Sequence, residues 1–216
     1  MIAYRIISTG SDGNAVVLNH NVLVDCGVSY KALEGYVKSL RLVLLTHIHG
    51  DHFNRSTIRR LATERPTLRF GAGAWLAAPL LEAGVRKSNI DILDANKQYD
   101  YSICSVLPVK LVHNVPNQGY KLHFPQGRVI YATDTGSLNG ITARDYDLYL
   151  VEANFEDEEI RQRIKAKKDA GEYSYELHAM HNHLSKARCD DWVYRNIGAA
   201  GQYIYMHQHR EREGSL

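Results

Sequence analysis

Residues 46–52 read Thr-His-Ile-His-Gly-Asp-His and follow at once on the apolar run Leu42-Val43-Leu44-Leu45. Four apolar residues in a row, bounded by polar ones, are the pattern of a strand buried on both faces. Such a strand would deliver a loop of three imidazoles and one carboxylate to its C-terminal edge. His47 and His49 are two apart and can point the same way, and Gly50 allows the chain an unusual turn. Asp51 and His52 then come from the next turn. One short loop can therefore offer two donors to each of two metal ions. Two metals about 3.5–4 Å apart clamp the attacking and leaving oxygens of a displacement and generate hydroxide near neutral pH.

One loop cannot complete two coordination shells, since a catalytic zinc takes about three protein donors and keeps a position open. Further donors are expected after later strands. His113 follows an apolar run at 105–112, Asp134 follows one at 128–132, and His207 follows one at 202–206. A carboxylate such as Asp134 suits a bridging position because it has two oxygens. His207 and His209 share the same strand parity, so either can be the last donor; His207 is favoured because it directly follows the apolar strand. His183 precedes a helix that Ser185 can cap, and it could donate a proton to a leaving group or bond a phosphate oxygen. Residues 10–14, Gly-Ser-Asp-Gly-Asn, read either as a tight turn or as an anion cradle in which Asn14 contacts substrate.

Around these residues the pattern predicts strands at 2–8, 15–19, 22–26, 42–46 and 67–71, further strands between 91 and 131, and strands at 148–152 and 202–206. Helices are predicted at 29–40, 54–64, 74–83, 155–170 and 185–196, with Ser29, Asn54 and Ser185 at their starts. Strands lead and helices interleave, with no short repeat and no linker, so residues 1–216 read as one α/β (α+β) domain of packed sheets with helices outside.

The run His47-x-His49-x-Asp51-His52 resembles the HxHxDH signature of the metallo-β-lactamase superfamily, and the later His, Asp and His arrive in that family's order. The resemblance implies a four-layer αββα sandwich with two divalent metal ions, zinc or manganese, at one edge. It implies that His47, His49 and His113 hold one ion, that Asp51, His52 and His207 hold the other, and that Asp134 bridges. Asp25, in Leu23-Val24-Asp25-Cys26-Gly27, would orient ligands from behind. Within the superfamily, Ser8-Thr9-Gly10-Ser11-Asp12-Gly13-Asn14, Asp147-Leu148 with Glu152-Ala153-Asn154, and His183-Leu184-Ser185 are similar to motifs of the small YycJ-type exonucleases and their phosphodiesterase neighbours. Two departures stand out: His181-Asn182 replaces a smaller residue before His183, and the last motif reads Met206-His207-Gln208-His209. The stretch from Asp134 to His207 is too short for the inserted domain of the β-CASP nucleases.

Composition narrows the function. The formal charge is +2, so nucleic-acid binding would need a local patch. Three widely spaced cysteines argue against a disulfide framework, no run is long enough to span a membrane, and residues 1–4 lack the features of a leader, so a cytoplasmic setting is expected. The expectation is a dinuclear phosphodiesterase that attacks through a metal-held hydroxide, oriented by Asp51 or Asp134, with His183 as acid. Its substrate would be a nucleic-acid end, or a cyclic or small nucleotide. An ester, lactone or thioester hydrolase on the same site is the alternative. An iron redox protein would want a flavin domain, for which no length remains. A rim at 171–182, or a second copy in a homo-oligomer, would complete the pocket.

Overall fold

The computed structural model, described for residues 1–208, consists of two six-stranded sheets and six α-helices. The first sheet holds β1 (Tyr4–Ser8), β2 (Ala15–Leu18), β3 (Val22–Val24), β4 (Leu42–Leu45), β5 (Arg69–Ala72) and β6 (Ile90–Ile92), in that order. It is antiparallel from β1 to β3 and parallel from β3 to β6. The second sheet holds β7 (Tyr99–Asp100), β8 (Ser105–Leu111), β9 (Asn117–Phe124), β10 (Gly127–Ala132), β11 (Leu148–Glu152) and β12 (Gln202–Met206), again in order. It is antiparallel up to β10 and parallel across β10, β11 and β12. The helices are α1 (Tyr30–Leu33), α2 (Arg55–Glu64), α3 (Ala77–Glu82), α4 (Asp157–Asp169), α5 (Glu176–Asn182) and α6 (Lys186–Asn196).

Strand β4 explains the layering. Side chains alternate across a strand, so Leu42 and Leu44 face the second sheet and pack with Tyr120, Leu122, Leu148 and Leu150. Val43 and Leu45 face the other way and pack with Leu33 of α1 and Ile58 and Leu61 of α2. Both faces are covered, which is why this strand is an unbroken apolar run. On the far side of the second sheet, Ile130, Tyr149 and Val151 pack against Cys189, Trp192 and Val193 of α6. The order of layers is helix, sheet, sheet, helix, the αββα sandwich expected. Cys26, Cys104 and Cys189 are free and buried.

The capping signal at Ser185 is used as expected, its side chain accepting from the Arg188 N–H, and Asn54, expected as the first residue of its helix, caps α2 by accepting from the Thr57 N–H. Two expectations need correction. The helix predicted over 29–40 is only α1, Tyr30–Leu33, and Ser29 makes no side-chain cap. Beyond Leu33 the chain continues as turns, in which Leu33 O takes the N–H groups of Tyr36 and Val37 and Tyr36 O those of Ser39 and Leu40. Gly35 and the β-branched Val37 are weak helix formers, and burial of Val37 and Leu40 in the core decides the path. Helix α5 was not predicted, because it has no side-chain cap and buries no residue that would reveal a period. Among the described residues no helix is long and apolar enough to cross a membrane. His209 lies outside the described residues.

Fully burying a leucine contributes about 1.5–3 kcal/mol, and a cavity left behind adds to the loss. Leu44 is fully buried between the sheets, whereas Leu81 is 47% exposed. Leu44→Ala is expected to lower stability by about 2–5 kcal/mol in urea denaturation, and Leu81→Ala to change it by no more than about 0.5 kcal/mol.

Candidate metal centre

Strand ends from both sheets meet at one edge of the sandwich. Asp25 follows β3, His47 stands two residues past β4, His113 two past β8, Asp134 two past β10, and His207 directly follows β12. Asp25, Asp134 and His207 all have left-handed backbone, at φ 58°, 57° and 50°. Asp and His tolerate that region better than bulky residues. The kink turns each chain sharply at the strand end.

Asp25 is fully buried and accepts four hydrogen bonds. Its Oδ1 takes the Thr46 N–H and the Thr46 hydroxyl, both at 2.9 Å. Its Oδ2 lies 2.7 Å from His52 Nδ1 and takes the Tyr131 hydroxyl at 3.0 Å. With Nδ1 held by a carboxylate, His52 presents Nε2 to the cleft. His113 is held similarly, with Nδ1 3.1 Å from the carbonyl of Asn182. Gly27 lets this loop sit so low. A Cβ there would lie 1.7 Å from the Asp51 carbonyl oxygen.

Two donor groups result. Ligand atoms of His47, His49 and His113 lie within 4.8 Å of one another, and so do those of Asp51, His52 and His207. Asp134 stands between them. Its Oδ2 is 2.8 Å from His52 Nε2, and its Oδ1 is 3.6 Å from His207 Nε2 and 4.0 Å from His113 Nε2. Asp134 Oδ2 and His207 Nε2 are buried without a hydrogen-bond partner. Buried polar atoms normally find one. Orphaned donors converging from imidazoles and carboxylates suit a divalent metal ion, and a hydrophobic filling would leave them unsatisfied.

The electrostatics agree with that reading. Burial, aided by the neighbouring His52, holds His47 well below the usual imidazole range, so it stays neutral with a free lone pair. Burial likewise lowers His113. Burial opposes charge on His52 too, but the carboxylates of Asp134 and Asp25 outweigh it and raise that ring. For His207 burial is outweighed by Asp51, Glu152 and Asp134, and the pKa is pushed up to about 10. Burial would raise Asp134, yet the charge of His52 holds it well below the ordinary carboxylate range. Without a cation, the carboxylates therefore draw protons onto the rings.

His183 lies at the edge of this cleft, 14% exposed by its side chain, with Nδ1 2.7 Å from Glu152 Oε1 and 3.6 Å from Asp134 Oδ1. Its ring stacks on His207 at 5.2 Å. Glu152 was not foreseen as part of the site. It is fully buried at the end of β11, and its Oε2 takes the N–H groups of Thr135 and Leu184. Its Oε1 serves both His183 and His207, the latter at 3.2 Å. The available signals were the run Glu152-Ala153-Asn154, similar to a family motif, and an acidic residue closing an otherwise apolar strand. Asn154 was also missed; its amide donates to the His207 carbonyl at 2.8 Å. The substrate contact expected of Asn14 needs correction. Asn14 is fully buried beneath the loop, exchanges hydrogen bonds with Gly10, and lies 2.8 Å from His52 Nε2 and 3.3 Å from Asp51 Oδ2. It braces the loop instead of facing solvent. The cleft above the donors encloses about 440 Å³, and its rim includes Tyr173, Tyr175 and His178, within the segment expected to cover it.

A family model described as "Beta-lactamase superfamily domain" matches residues 20–207. Among solved structures, the metallo-β-lactamase fold protein YhfI from Bacillus subtilis is 16% identical, with TM-score 0.74, covering 96% of this chain and 86% of that one. Human tRNase Z, short form, is 16% identical, with TM-score 0.71 and coverage of 96% and 92%. A diphosphatase from the PhnP family is 15% identical, with TM-score 0.67 and coverage of 96% and 87%. No curated protein matches the chain.

Two measurements test the geometry. Removing the charge behind His52 with Asp25→Asn is expected to weaken zinc binding by roughly 10–100-fold, read by competition with a chelating dye, with circular dichroism unchanged. Because His207 is protonated below its pKa of about 10, a metal must displace that proton. Zinc affinity is therefore expected to rise with pH toward that value, and calorimetry in two buffers of different ionisation enthalpy should show net proton release. Affinity independent of pH would remove His207 from the donor set.

Proposed function

The chain belongs to the β-lactamase superfamily, and on that premise we propose that it is a dinuclear metal-dependent phosphodiesterase acting on nucleic acid or a nucleotide. The observation that carries the reading is the pair of three-donor groups with Asp134 between them and His183 beside them. His47, His49 and His113 would hold one ion, Asp51, His52 and His207 the other, and Asp134 would touch both. Nitrogen and oxygen donors without thiolate fit zinc, and also manganese. When bound, two such ions supply Lewis acidity on a phosphoryl oxygen and a strong nucleophile from water near neutral pH.

The chain's own residues do the rest. Asp51, 23% exposed by its side chain, is the donor carboxylate that reaches furthest toward solvent and can accept a proton from an attacking water. His183 offers the other side of the reaction. Its Nδ1 faces the Glu152 carboxylate, so Nε2 remains to carry a proton to the departing oxygen. A carboxylate behind an imidazole fixes the ring's orientation. That arrangement matters most for a poor leaving group, as the alkoxide of a nucleotide is. Burial of Glu152 and Asp134 keeps bulk water from competing for these bonds. The YhfI, tRNase Z and PhnP-family likenesses support the fold on which this reading rests.

Zinc- or manganese-loaded protein is expected to hydrolyse bis-p-nitrophenyl phosphate, and His49→Ala to abolish that turnover. His183→Ala should lower kcat by about 10²–10⁴-fold on a dinucleotide but much less on the p-nitrophenyl ester, whose leaving group needs no proton. Cleavage of esters or thioesters with no phosphodiester turned over would sink the proposal and leave the fold standing.

A further inference from the structure

Three cavities share lining residues at the metal centre. The central one shares Tyr175, His183 and His207 with a cavity of about 530 Å³ on one side. On the other side it shares His113 and Asn114 with a cavity of about 580 Å³. The donors thus line the cavity that has a neighbour on each side. A cyclic mononucleotide would need only the centre, whereas a chain would need arms.

The arm beyond His113 carries Trp75 and Lys110. Trp75 is 37% exposed, an unusual place for an indole with no role. Its ring lies directly on Gly73, where even a Cβ would come within 2.2 Å of it. The Leu76 N–H bonds to the Gly73 carbonyl and closes the turn that carries the indole. The ring is thus held by backbone and still reaches solvent. Lys110, exposed on β8, makes no ion pair among the described residues. Asp94, the acid lining this arm, accepts from the Tyr99 hydroxyl.

We propose that this arm binds a nucleotide of a single-stranded nucleic-acid chain beyond the scissile phosphate, with its unpaired base stacked on Trp75 and a phosphate beside Lys110. An aromatic face next to a cation is the minimal single-strand site, because every base has a face to stack and every nucleotide a charge to neutralise. The inference rests on the phosphodiesterase reading and narrows its substrate to a polymer.

The chain has two tryptophans, Trp75 and Trp192. Trp192 is 8% exposed and donates its indole N–H to Ile141, so added quenching reports Trp75. The test titrates the full chain, in chelator to prevent turnover, with oligo(dT), oligo(U) and a duplex of equal length. Single strands are expected to quench the fluorescence saturably, and the ratio of the two Kd values assigns DNA or RNA. Trp75→Phe should remove the quench and retain binding by anisotropy of a labelled strand. Trp75→Ala should weaken that binding by roughly 5–100-fold, and Lys110→Ala should lower its salt slope by about one. Circular dichroism melts of each variant separate these effects from misfolding. No quench, an unchanged Kd in Trp75→Ala, or equal quench by duplex would overturn the proposal. Quench without turnover of any phosphodiester by the loaded protein would leave the arm standing and defeat the reading of the centre. Turnover of bis-p-nitrophenyl phosphate without oligonucleotide binding would do the reverse.

Discussion

The four hydrogen bonds on Asp25 hold the site together. An ionised carboxylate with no exposure is costly unless every lone pair is answered, and here the donors come from separate parts of the fold. Thr46 gives two from the end of β4, His52 gives one from the loop, and Tyr131 reaches across from the second sheet. One buried charge therefore fixes where β4 ends, how His52 is turned, and how the two sheets meet at this edge. The Thr46 hydroxyl also lies 2.9 Å from His47 Nδ1, so the same anion acts on a member of each donor group.

Three of the seven non-glycine residues with left-handed backbone among the described residues stand at the same edge. Left-handed conformation at a residue other than glycine costs on the order of 1–3 kcal/mol and persists only when its surroundings over-determine it. At Asp25 that determination is the set of bonds just described. At Asp134 it is the Asn117 amide, which bonds the Asp134 carbonyl at 2.7 Å. At His207 it is Thr9 and Asn154, which bond its backbone N–H and carbonyl. In each case a polar side chain from another segment pins a strand end, and the strained residue's side chain then has little freedom left. Preorganisation of this kind is what a site needs if its donors must converge before any ligand arrives.

The legible parts of the sequence were those in which chemistry interrupts a hydrophobic pattern. His47, Asp134 and His207 each follow an apolar strand, and nothing in a strand's own packing asks for such residues there. The αββα layering was legible for a related reason, since β4 and β11 read as unbroken apolar runs that need cover on both faces. Glu152 was legible only as part of a run similar to a family motif; its role was hidden because at the last strand position a carboxylate looks like a fray and its burial cannot be seen. Asn14 was misjudged because a glycine-rich turn looks the same whether it cradles a ligand or braces a loop; only its distance from His52 separates the two. Residues 29–40 have the composition of a helix, yet core burial of Leu33, Val37 and Leu40 set the path instead. Propensity yields where tertiary packing is strong.

Convergence also explains why this edge gains more from a cation than any other part of the surface. His47, His49 and His113 stand with ring centroids 4.7–5.1 Å apart. Their ring nitrogens converge on one another, His49 Nδ1 lying 3.1 Å from His47 Nε2 and 3.3 Å from His113 Nε2. His47 and His113 are anchored from behind, by the Thr46 hydroxyl and by a backbone carbonyl, so neither can swing away to find water. The opposite group has the inverse problem, with Asp51, Asp134 and Glu152 carrying negative charge into low dielectric around His52 and His207. Protons on the two rings offset that charge only by giving up the lone pairs that the geometry has aimed. A divalent ion resolves both conflicts at once, and any ligand bound only by the folded chain adds its binding free energy to folding. The strain at three strand ends and the buried charges behind them are therefore tolerable in a chain of this size because the same residues recover that free energy when the site is filled.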